Sequence, residues 1–538
     1  MKRKATIRMT GISWLLIFVF LLTTFPVFAQ FAGGSGSQQD PYRVATAEHL
    51  NNVRNYLDSW FIQIADINLD VKPWNQGEGW EPIGISSKYD VFDSPFEGTY
   101  NGNGHMISGL YINRPDARLQ GLFGYLDGTI RNLNLVDSNI KGGWETGALV
   151  GQNSGTINNC FSTGDVTGTN DTGGLVGCVA EGTVSNCYFK GNVFGERCVG
   201  GVVGNAEFCA IDSCFSTGNV SGKGCIGGLA GYLYVTDACN CYFMGKVVGE
   251  YSTGGFVGMH YKATIDSCYS TSDVSGDNCV GGLVGLNLLS YINNSYSIGD
   301  VFGKDDTGGL VGYNERGSIN NCYSIGNVSG DESTGGLVGA SGGWIFGCFS
   351  SGKTTGRTSV GGLVGNNFNE IINCYSTGDV TGEKMTGGLV GFNNFVVYEE
   401  SYNEETDNMI EWDLCGTIEN SYSIVNVLGG EDTGGLVGLF EGIVGCCYSV
   451  GSVIGKKNTG GFVGRSLDTY AEISNCYWDV DKSNQKQSAG GYGRRTSEMV
   501  HPYSYNTYED WDREIWVPDT GGKKNGGYPY LKDVPSGE

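Results

Sequence analysis

One repeated string constrains this chain more than anything else in it. At residues 307–331 it reads T-G-G-L-V-G-Y-N-E-R-G-S-I-N-N-C-Y-S-I-G-N-V-S-G-D, and near copies run from residue 121 to residue 478. The first glycine of the Gly-Gly pair marks the phase. It falls at Gly173, Gly200, Gly227, Gly254, Gly281, Gly308, Gly335, Gly361, Gly387, Gly434 and Gly460, with Gly147 matching in T-G-A-L-V-G. The steps are 26 or 27 residues, except for one of 47 between Gly387 and Gly434. A fixed period of this size belongs to stacked units that bury a continuous core only against their neighbours.

Each copy holds three apolar patches, here Leu310-Val311, Ile319 with Cys322-Tyr323, and Val328, separated by Gly or Asn. The patches are too short for helices, and each interior glycine would cost a helix about 1 kcal/mol. Short strands that close on the coil above satisfy every backbone N–H and C=O instead. The expected fold is all-β: a parallel β-helix, or β-solenoid, of about 12 coils with three strands per coil. General chirality makes it right-handed. Glycines are expected at sharp corners with φ > 0 and where backbones stack tightly.

A solenoid leaves a strand edge and a raw core at each end, so both ends need covering. Residues 30–118 read as a small α/β N-terminal cap with the first irregular coils, and residues 119–480 as the solenoid. Residues 481–538 read as a C-terminal cap, with Trp511, Trp516 and the Gly-Tyr-Pro-Tyr-Leu run ending at Leu531 packing over the last coil. In the N-terminal cap, Thr46 can N-cap a short helix that puts Leu50, Val53 and Leu57 on one face. The 47-residue step reflects an insertion at residues 395–415, expected to leave the rod as a loop.

Residues 1–29 read as a signal peptide: basic Lys2, Arg3, Lys4 and Arg8, an apolar run, then Val27-Phe28-Ala29 as the cleavage site. A single-pass anchor is the alternative. Removing this segment, which carries four basic and no acidic residues, takes the net charge from −24 to −28. So acidic a surface repels phosphate backbones, so nucleic acid is not an expected partner. No second long apolar run follows, so the processed chain is not expected to span a membrane. The expected location is extracellular, either secreted or at the cell surface.

The chain has 18 cysteines. Cys160, Cys187, Cys214, Cys241, Cys268, Cys322, Cys348, Cys374, Cys447 and Cys476 share one repeat position, with Ser295 and Ser421 as substitutes. Side chains stacked in parallel bridge poorly, so this column is expected to be a ladder of small buried thiols. Cys198 and Cys225, 27 residues apart just before the Gly-Gly pair, are the better disulfide candidates. The next column is aromatic and includes Tyr269, Tyr296, Tyr323 and Tyr375. Facing solvent, it could stack sugar rings or a partner; facing inward, it would be core and the cysteines would face out. An Asn column, including Asn159, Asn294 and Asn321, is expected to form an internal amide ladder at a corner.

The pattern T-G-G-L-V-G followed by I-x-N-C-Y-S-x-G-x-V-x-G resembles the GLUG motif. The flanks are similar to such proteins too: F-E-G-T-Y-N-G-N-G-H at residues 96–105 and G-Y-P-Y-L at residues 527–531. The motif occurs in bacterial surface and secreted proteins, including adhesins, and in the non-catalytic part of immunoglobulin-A-cleaving metalloproteases. The resemblance implies an extracellular β-solenoid without a specified ligand, and it brings no catalytic residues.

Metalloprotease chemistry needs H-E-x-x-H. The histidines are His49, His105, His260 and His501, none of them in that spacing. Asp165, Asp273, Asp300 and Asp379 share a column that would suit a polysaccharide hydrolase or lyase, but the same position also accepts Asn and Lys, as a solvated corner does. No catalytic residue is assigned. Within the insertion, Glu404, Glu405, Asp407, Glu411 and Asp413 are candidate ligands for Ca²⁺, without EF-hand spacing; no other cofactor is expected. The favoured reading is a non-enzymatic adhesive or structural rod whose partner is a surface protein or glycan of a host or neighbouring cell. A carbohydrate-binding or polysaccharide-degrading protein is the alternative.

Overall fold

The structure is a computed structural model and describes residues 30–84, 94–403, 408–467 and 471–534; the side chains of residues 396–414 also lie outside the description. The signal-peptide segment falls outside it as well. The described residues form an all-β parallel solenoid. The coil around Gly308 shows the plan. Asp305–Gly308 forms one strand, Val311–Glu315 the next, Ser318–Asn320 the third, and Tyr323–Ser324 with Val328–Ser329 the fourth side. Each strand pairs in parallel with its copy one coil away, as Val311 does with Val284 and Val338. These columns build a valine sheet of 13 strands, an isoleucine sheet of 16, a glycine sheet of 11 and a tyrosine sheet. The coil therefore has four sides where three were expected. The extra strand escapes an apolar count because it buries Thr307, Gly308 and little else.

The core is the stack of Leu310, Val311, Ile319, Cys322 and Val328, each at most 1 % exposed, with their copies. Corners turn at left-handed, non-glycine residues: Asp306 (φ 48°), Arg316 (φ 52°) and Asn321 (φ 54°). Asn and Asp tolerate this region better than most residues. Of the two roles expected of glycine, the Gly-Gly pair takes the tight stacking, while these non-glycine residues take left-handed corners. Gly308 and Gly309 are needed for backbone approach. A Cβ on Gly308 would overlap the Val311 carbonyl and lie 2.7 Å from the Gly339 nitrogen, and one on Gly309 would meet the Gly336 carbonyl and Ser324 Oγ.

A polar ladder runs through the apolar interior. His260 Nδ1 lies 2.8 Å from Asn287 Oδ1, Asn287 Nδ2 donates to Asn314 Oδ1 (2.8 Å), and Asn314 Nδ2 to Ser341 Oγ (3.1 Å). All four residues are fully buried. The direction of the ladder puts the proton of neutral His260 on Nδ1, and among the described residues its Nε2 has no partner.

The N-terminal cap joins the stack directly: Tyr42–Val44, Trp60–Gln63 and Thr99–Asn101 are the first strands of the isoleucine sheet. Its helix, Ala47–Asn52, begins at Thr46, whose Oγ1 accepts from the His49 nitrogen at 3.2 Å. At the other end, the raw coil is closed by the segment after Tyr477–Asp479. Ser488 Oγ accepts from the nitrogens of Phe462 (3.1 Å) and Val463 (2.8 Å), and Tyr492–Arg494 pairs with Tyr477–Asp479. The aromatic tail thus does not cover the end. It folds back along the side of the rod, where Trp511, Trp516, Tyr508 and Tyr528 pack on Tyr422, Tyr448 and Tyr477. The insertion is an antiparallel hairpin, Phe395–Asn403 with Asn408–Cys415, in place of the expected loop. Its strands are rich in aromatic and β-branched residues, which favour pairing.

Two predictions follow from the packing. Gly308→Ala should cost about 3 kcal/mol or more through backbone overlap. Gly224→Ala, where nothing lies within 4 Å of the new Cβ, should be neutral or slightly stabilising; urea-unfolding midpoints compare the two. Burial pushes the His260 imidazole down to about 4, partly opposed by Asn287 and Asp237. The unfolded chain takes up this proton near pH 6.5. His260 therefore costs nothing above that pH and an increasing amount as pH falls towards 4, reaching about 3 kcal/mol. Burial raises Asp171 and Asp306 to about 6; these weaken the fold as pH rises through the same window. The His260→Asn variant isolates the histidine: between pH 7 and pH 4 it should lose about 3 kcal/mol less than the unsubstituted chain in urea melts.

Candidate functional site

The bend at each corner asparagine decides which column faces water. Cys322 follows Asn321 and points inward, so Tyr323 points outward. The cysteine column is a buried ladder of free thiols, as expected. Cys187 Sγ accepts from the Cys160 nitrogen (3.4 Å) and donates to the Ser185 carbonyl (3.0 Å), and later copies repeat the pattern. Ser295 fits because its hydroxyl takes the same place, accepting from the Cys268 nitrogen at 3.1 Å. The asparagines are at a corner but outside it. Asn159 Nδ2 donates to Asn132 Oδ1 (2.7 Å) and Asn294 Nδ2 to Asp266 Oδ1 (2.8 Å), both exposed. The internal amide ladder is the His260–Ser341 column, which the spacing of Asn287 and Asn314 alone could have revealed.

The aromatic column is a stack of rings from Phe161 to Tyr448. Successive centroids lie 4.8–5.0 Å apart with planes within 11°. Tyr269, Tyr296 and Tyr323 are half-buried on the open part of this face. Tyr375 lies beside the folded-back tail, and Tyr422 and Tyr448 lie beneath it. Ring faces are therefore taken by the neighbouring rings, and each Tyr offers solvent an edge and a hydroxyl. That geometry does not provide the open ring face on which a sugar stacks. Burial raises the Tyr296 hydroxyl above its ordinary value, helped by Tyr323 and Tyr269, and burial alone raises that of Tyr323. Both stay protonated donors at neutral pH.

The carboxylate column is a corner ladder. Asp273 Oδ1 accepts from the Asp300 nitrogen (3.2 Å), and Asp300 Oδ1 accepts from the nitrogen (2.9 Å) and Nδ2 (3.0 Å) of Asn327. Asp165 and Asp379 bond to Asn192 and Asn426 in the same way. Cys198 and Cys225 occupy left-handed corners on adjacent coils and stand as free thiols. Glu404, Glu405 and Asp407 lie outside the described residues. Glu411 and Asp413 belong to the strand Asn408–Cys415, whose side chains are not described. Among the described residues no three His, Cys, Asp or Glu side chains converge as a metal site.

One groove was not anticipated. About 720 Å³ opens at Gly429-Gly430, between Glu383 and Lys456 and beside Lys384. Along this corner several adjacent coils pair opposite charges, as in Glu196–Lys223 (3.1 Å) and Asp277–Lys304 (2.7 Å), while Glu250 and Asp277 stack with like sign. Gly430 interrupts the row, and that gap in the charge column was the available signal.

A model of the GLUG motif matches residues 142–167, 168–193, 195–221, 306–329 and 356–381. Five of the repeats are GLUG motifs. Each match lies within the coiled region that supplies the ladders above. The chain is 43 % identical over 136 residues to a protein of Evansella cellulosilytica named as a Gly-rich membrane protein, covering 24 % of this chain and 15 % of that one. It is 36 % identical over 152 residues to Halomucin of Haloquadratum walsbyi, covering 27 % of this chain and 2 % of that one. It thus spans a small part of the length of these relatives. Among solved structures, a chain described as an immunoglobulin A1 protease of Bacteroides ovatus is similar at 17 % identity. That match covers 94 % of this chain and 96 % of that one, with a TM-score of 0.21. A second IgA1 protease chain is similar at 17 % identity over 58 % of this chain and 21 % of that one, with a TM-score of 0.27.

If the rings mainly hold neighbouring GLUG coils together, Tyr296→Phe should change stability by less than about 0.5 kcal/mol, since Phe215 and Phe349 already stand in the column. Tyr296→Ala removes two ring contacts and should cost about 2 kcal/mol. Thermal and urea unfolding of the two variants check this.

Proposed function

We propose that the chain is exported and acts as a non-enzymatic adhesive or structural rod at the cell surface. One observation carries this reading: the repeated polar and aromatic groups are used between coils. Thiols bond to the preceding coil's backbone, corner carboxylates accept the next coil's N–H groups, and tyrosine faces stack on its rings. The result is a stiff body about 60 Å long over its thirteen-strand valine sheet, at about 4.8 Å per coil. Such a body separates two things or presents a long face to one of them. The basic-apolar leader supports export. The name of one relative, a Gly-rich membrane protein, supports a place at the cell surface. No helix among the described residues is long and apolar enough to cross a membrane. The partner is a protein or glycan on a host or neighbouring cell, and the strongly acidic surface disfavours nucleic acid.

Beads coated with the purified chain are expected to be retained on intact cells beyond beads coated with an unrelated acidic protein. Polysaccharides incubated with the chain should release no new reducing or unsaturated ends. Ends that accumulate with added chain and vanish in Asp273→Asn/Asp300→Asn would move the reading to a hydrolase or lyase. Retention that needs added Ca²⁺ would assign a metal role to the acidic hairpin.

A further inference from the structure

The folded-back tail shows what this face of the rod accepts. Nearly every group that holds the tail belongs to a repeating column. The Trp516 indole N–H donates to Asn420 Oδ1 (3.3 Å), and that of Trp511 to the Asn475 carbonyl (2.9 Å). The Tyr448 hydroxyl donates to the Pro529 carbonyl (2.7 Å). The Trp516 ring lies 6.0 Å from Tyr422 and 5.9 Å from Tyr448. Only the Tyr528 hydroxyl, 2.6 Å from Asp479 Oδ2, reads a residue special to the last coil.

The same columns continue past the tail. Directly beside it is a cleft of about 330 Å³, bounded by Asn321, Gly347 and Asn373 on the rod and, on the tail, by Ile515, Leu531 and Val534 interleaved with the charged Glu514, Lys532 and Asp533. Gly347 stands in the corner column where Asn is usual, at φ 63°, so no side chain fills the floor. Phe346 lines the cleft as well and is 45 % exposed. Asn373 Oδ1 is buried there without a hydrogen-bond partner among the described residues. One coil further on, the equivalent atom of Asn420 holds an indole N–H. A buried acceptor without a donor is costly, so a ligand that supplies the donor, once the Asn373 side chain turns into the cleft, recovers that penalty. Beyond the cleft the half-buried edges of Tyr323, Tyr296 and Tyr269 follow at coil spacing.

We propose that this cleft and the open tyrosine edge dock an extended polypeptide from another molecule. It is anchored by a tryptophan whose indole N–H reaches Asn373 Oδ1, while its main-chain carbonyls accept from the Tyr323 and Tyr296 hydroxyls. The occupant is a peptide segment chemically like the chain's own tail, and its seat is continuous with the tail's. A glycan fits less well, because the ring faces on which a sugar would stack are already taken by neighbouring rings. This inference rests on the adhesive-rod reading and names its partner class.

The test uses the purified chain and a fluorescein-labelled synthetic peptide of residues 507–518, T-Y-E-D-W-D-R-E-I-W-V-P, followed by fluorescence anisotropy. Saturable binding is expected, weakened at least tenfold when both peptide tryptophans are alanine. It should weaken as much in Asn373→Gly, which keeps a residue tolerant of the left-handed corner. It should also weaken in Tyr296→Phe/Tyr323→Phe, which keeps the ring stack. Unchanged urea midpoints show that these variants fold. Equal binding by the unsubstituted chain and by both variants would mean exchange at the tail's own seat and would overturn the proposal. So would an absence of peptide binding alongside oligosaccharide binding that the tyrosine variant loses. Bead retention measured in parallel separates the two levels: retention without peptide binding sinks the docking site alone, and no retention by the unsubstituted chain sinks the reading beneath it.

Discussion

The coil-to-coil spacing governs this molecule. Parallel strands in register place each residue directly above its copy at about 4.8 Å, so a residue type survives only if it can sit against itself. Few can. Glycine does so by having no side chain, and Gly308 and Gly309 lie where the neighbouring backbone leaves room for nothing else. Cysteine and serine do so by giving a hydrogen to their own coil and accepting one from the preceding coil. Asparagine is both donor and acceptor, so a column of it closes on itself. Tyrosine is flat. Charged residues repeat less readily: Asp300 stacks on Asp273 by donating its nitrogen to the Asp273 carboxylate, and elsewhere a corner sets opposite signs on neighbouring coils, as in Glu196–Lys223 and Asp277–Lys304. Such exposed pairs add little stability, but they remove the repulsion that a column of one sign would build up in a chain of net charge −24.

The same rule explains what the surface can offer. A side chain that satisfies its neighbours has little left for a ligand. The corner carboxylates look like a reactive row when aligned by sequence, yet Asp300 already receives two hydrogens from Asn327. The tyrosines look like a sugar platform, yet their faces are covered by the rings on either side. What remains at the surface is a line of ring edges and hydroxyls, better matched to the carbonyls and indoles of a peptide than to the flat face of a pyranose.

The period and the apolar positions were enough to read the solenoid, its parallel pairing and the inward Leu310, Val311, Ile319 and Val328. Three things were not readable in this way, each for a physical reason. The fourth strand, Asp305–Gly308, buries almost nothing apolar, so a hydrophobic pattern passes over it. The orientation of Cys322 against Tyr323 depends on the left-handed turn at Asn321, and alternation breaks at such a turn. The tail's resting place depends on a competitor. Ser488 and Tyr492–Arg494 take the end of the rod first, which leaves Trp511 and Trp516 to find the next apolar surface, along the side. The tyrosine column is legible in the sequence but the direction of its ring faces is not, because ring stacking is a property of the pair and not of the residue.

In a molecule built this way, specific function has to come from departures from the repeat. A perfect column offers the same group on every coil and is satisfied on every coil; selectivity needs one position that differs. Three such positions stand out. His260 ends a neutral core ladder with an unpartnered nitrogen and ties stability to pH. Gly430 breaks the row of paired charges and opens a groove flanked by lysines. Gly347 replaces an asparagine and, beside the tail, leaves Asn373 with an acceptor and a space in front of it. The first two need only the residues around them. The third combines a missing side chain, an unmet hydrogen bond and an adjoining surface that already holds a tryptophan-bearing segment. Since the columns on both sides are identical in kind, the tail's choice of its present coils is set by Asp479 and the chain's own connectivity. A segment from another molecule has neither constraint, and for it the open coils are the available ones.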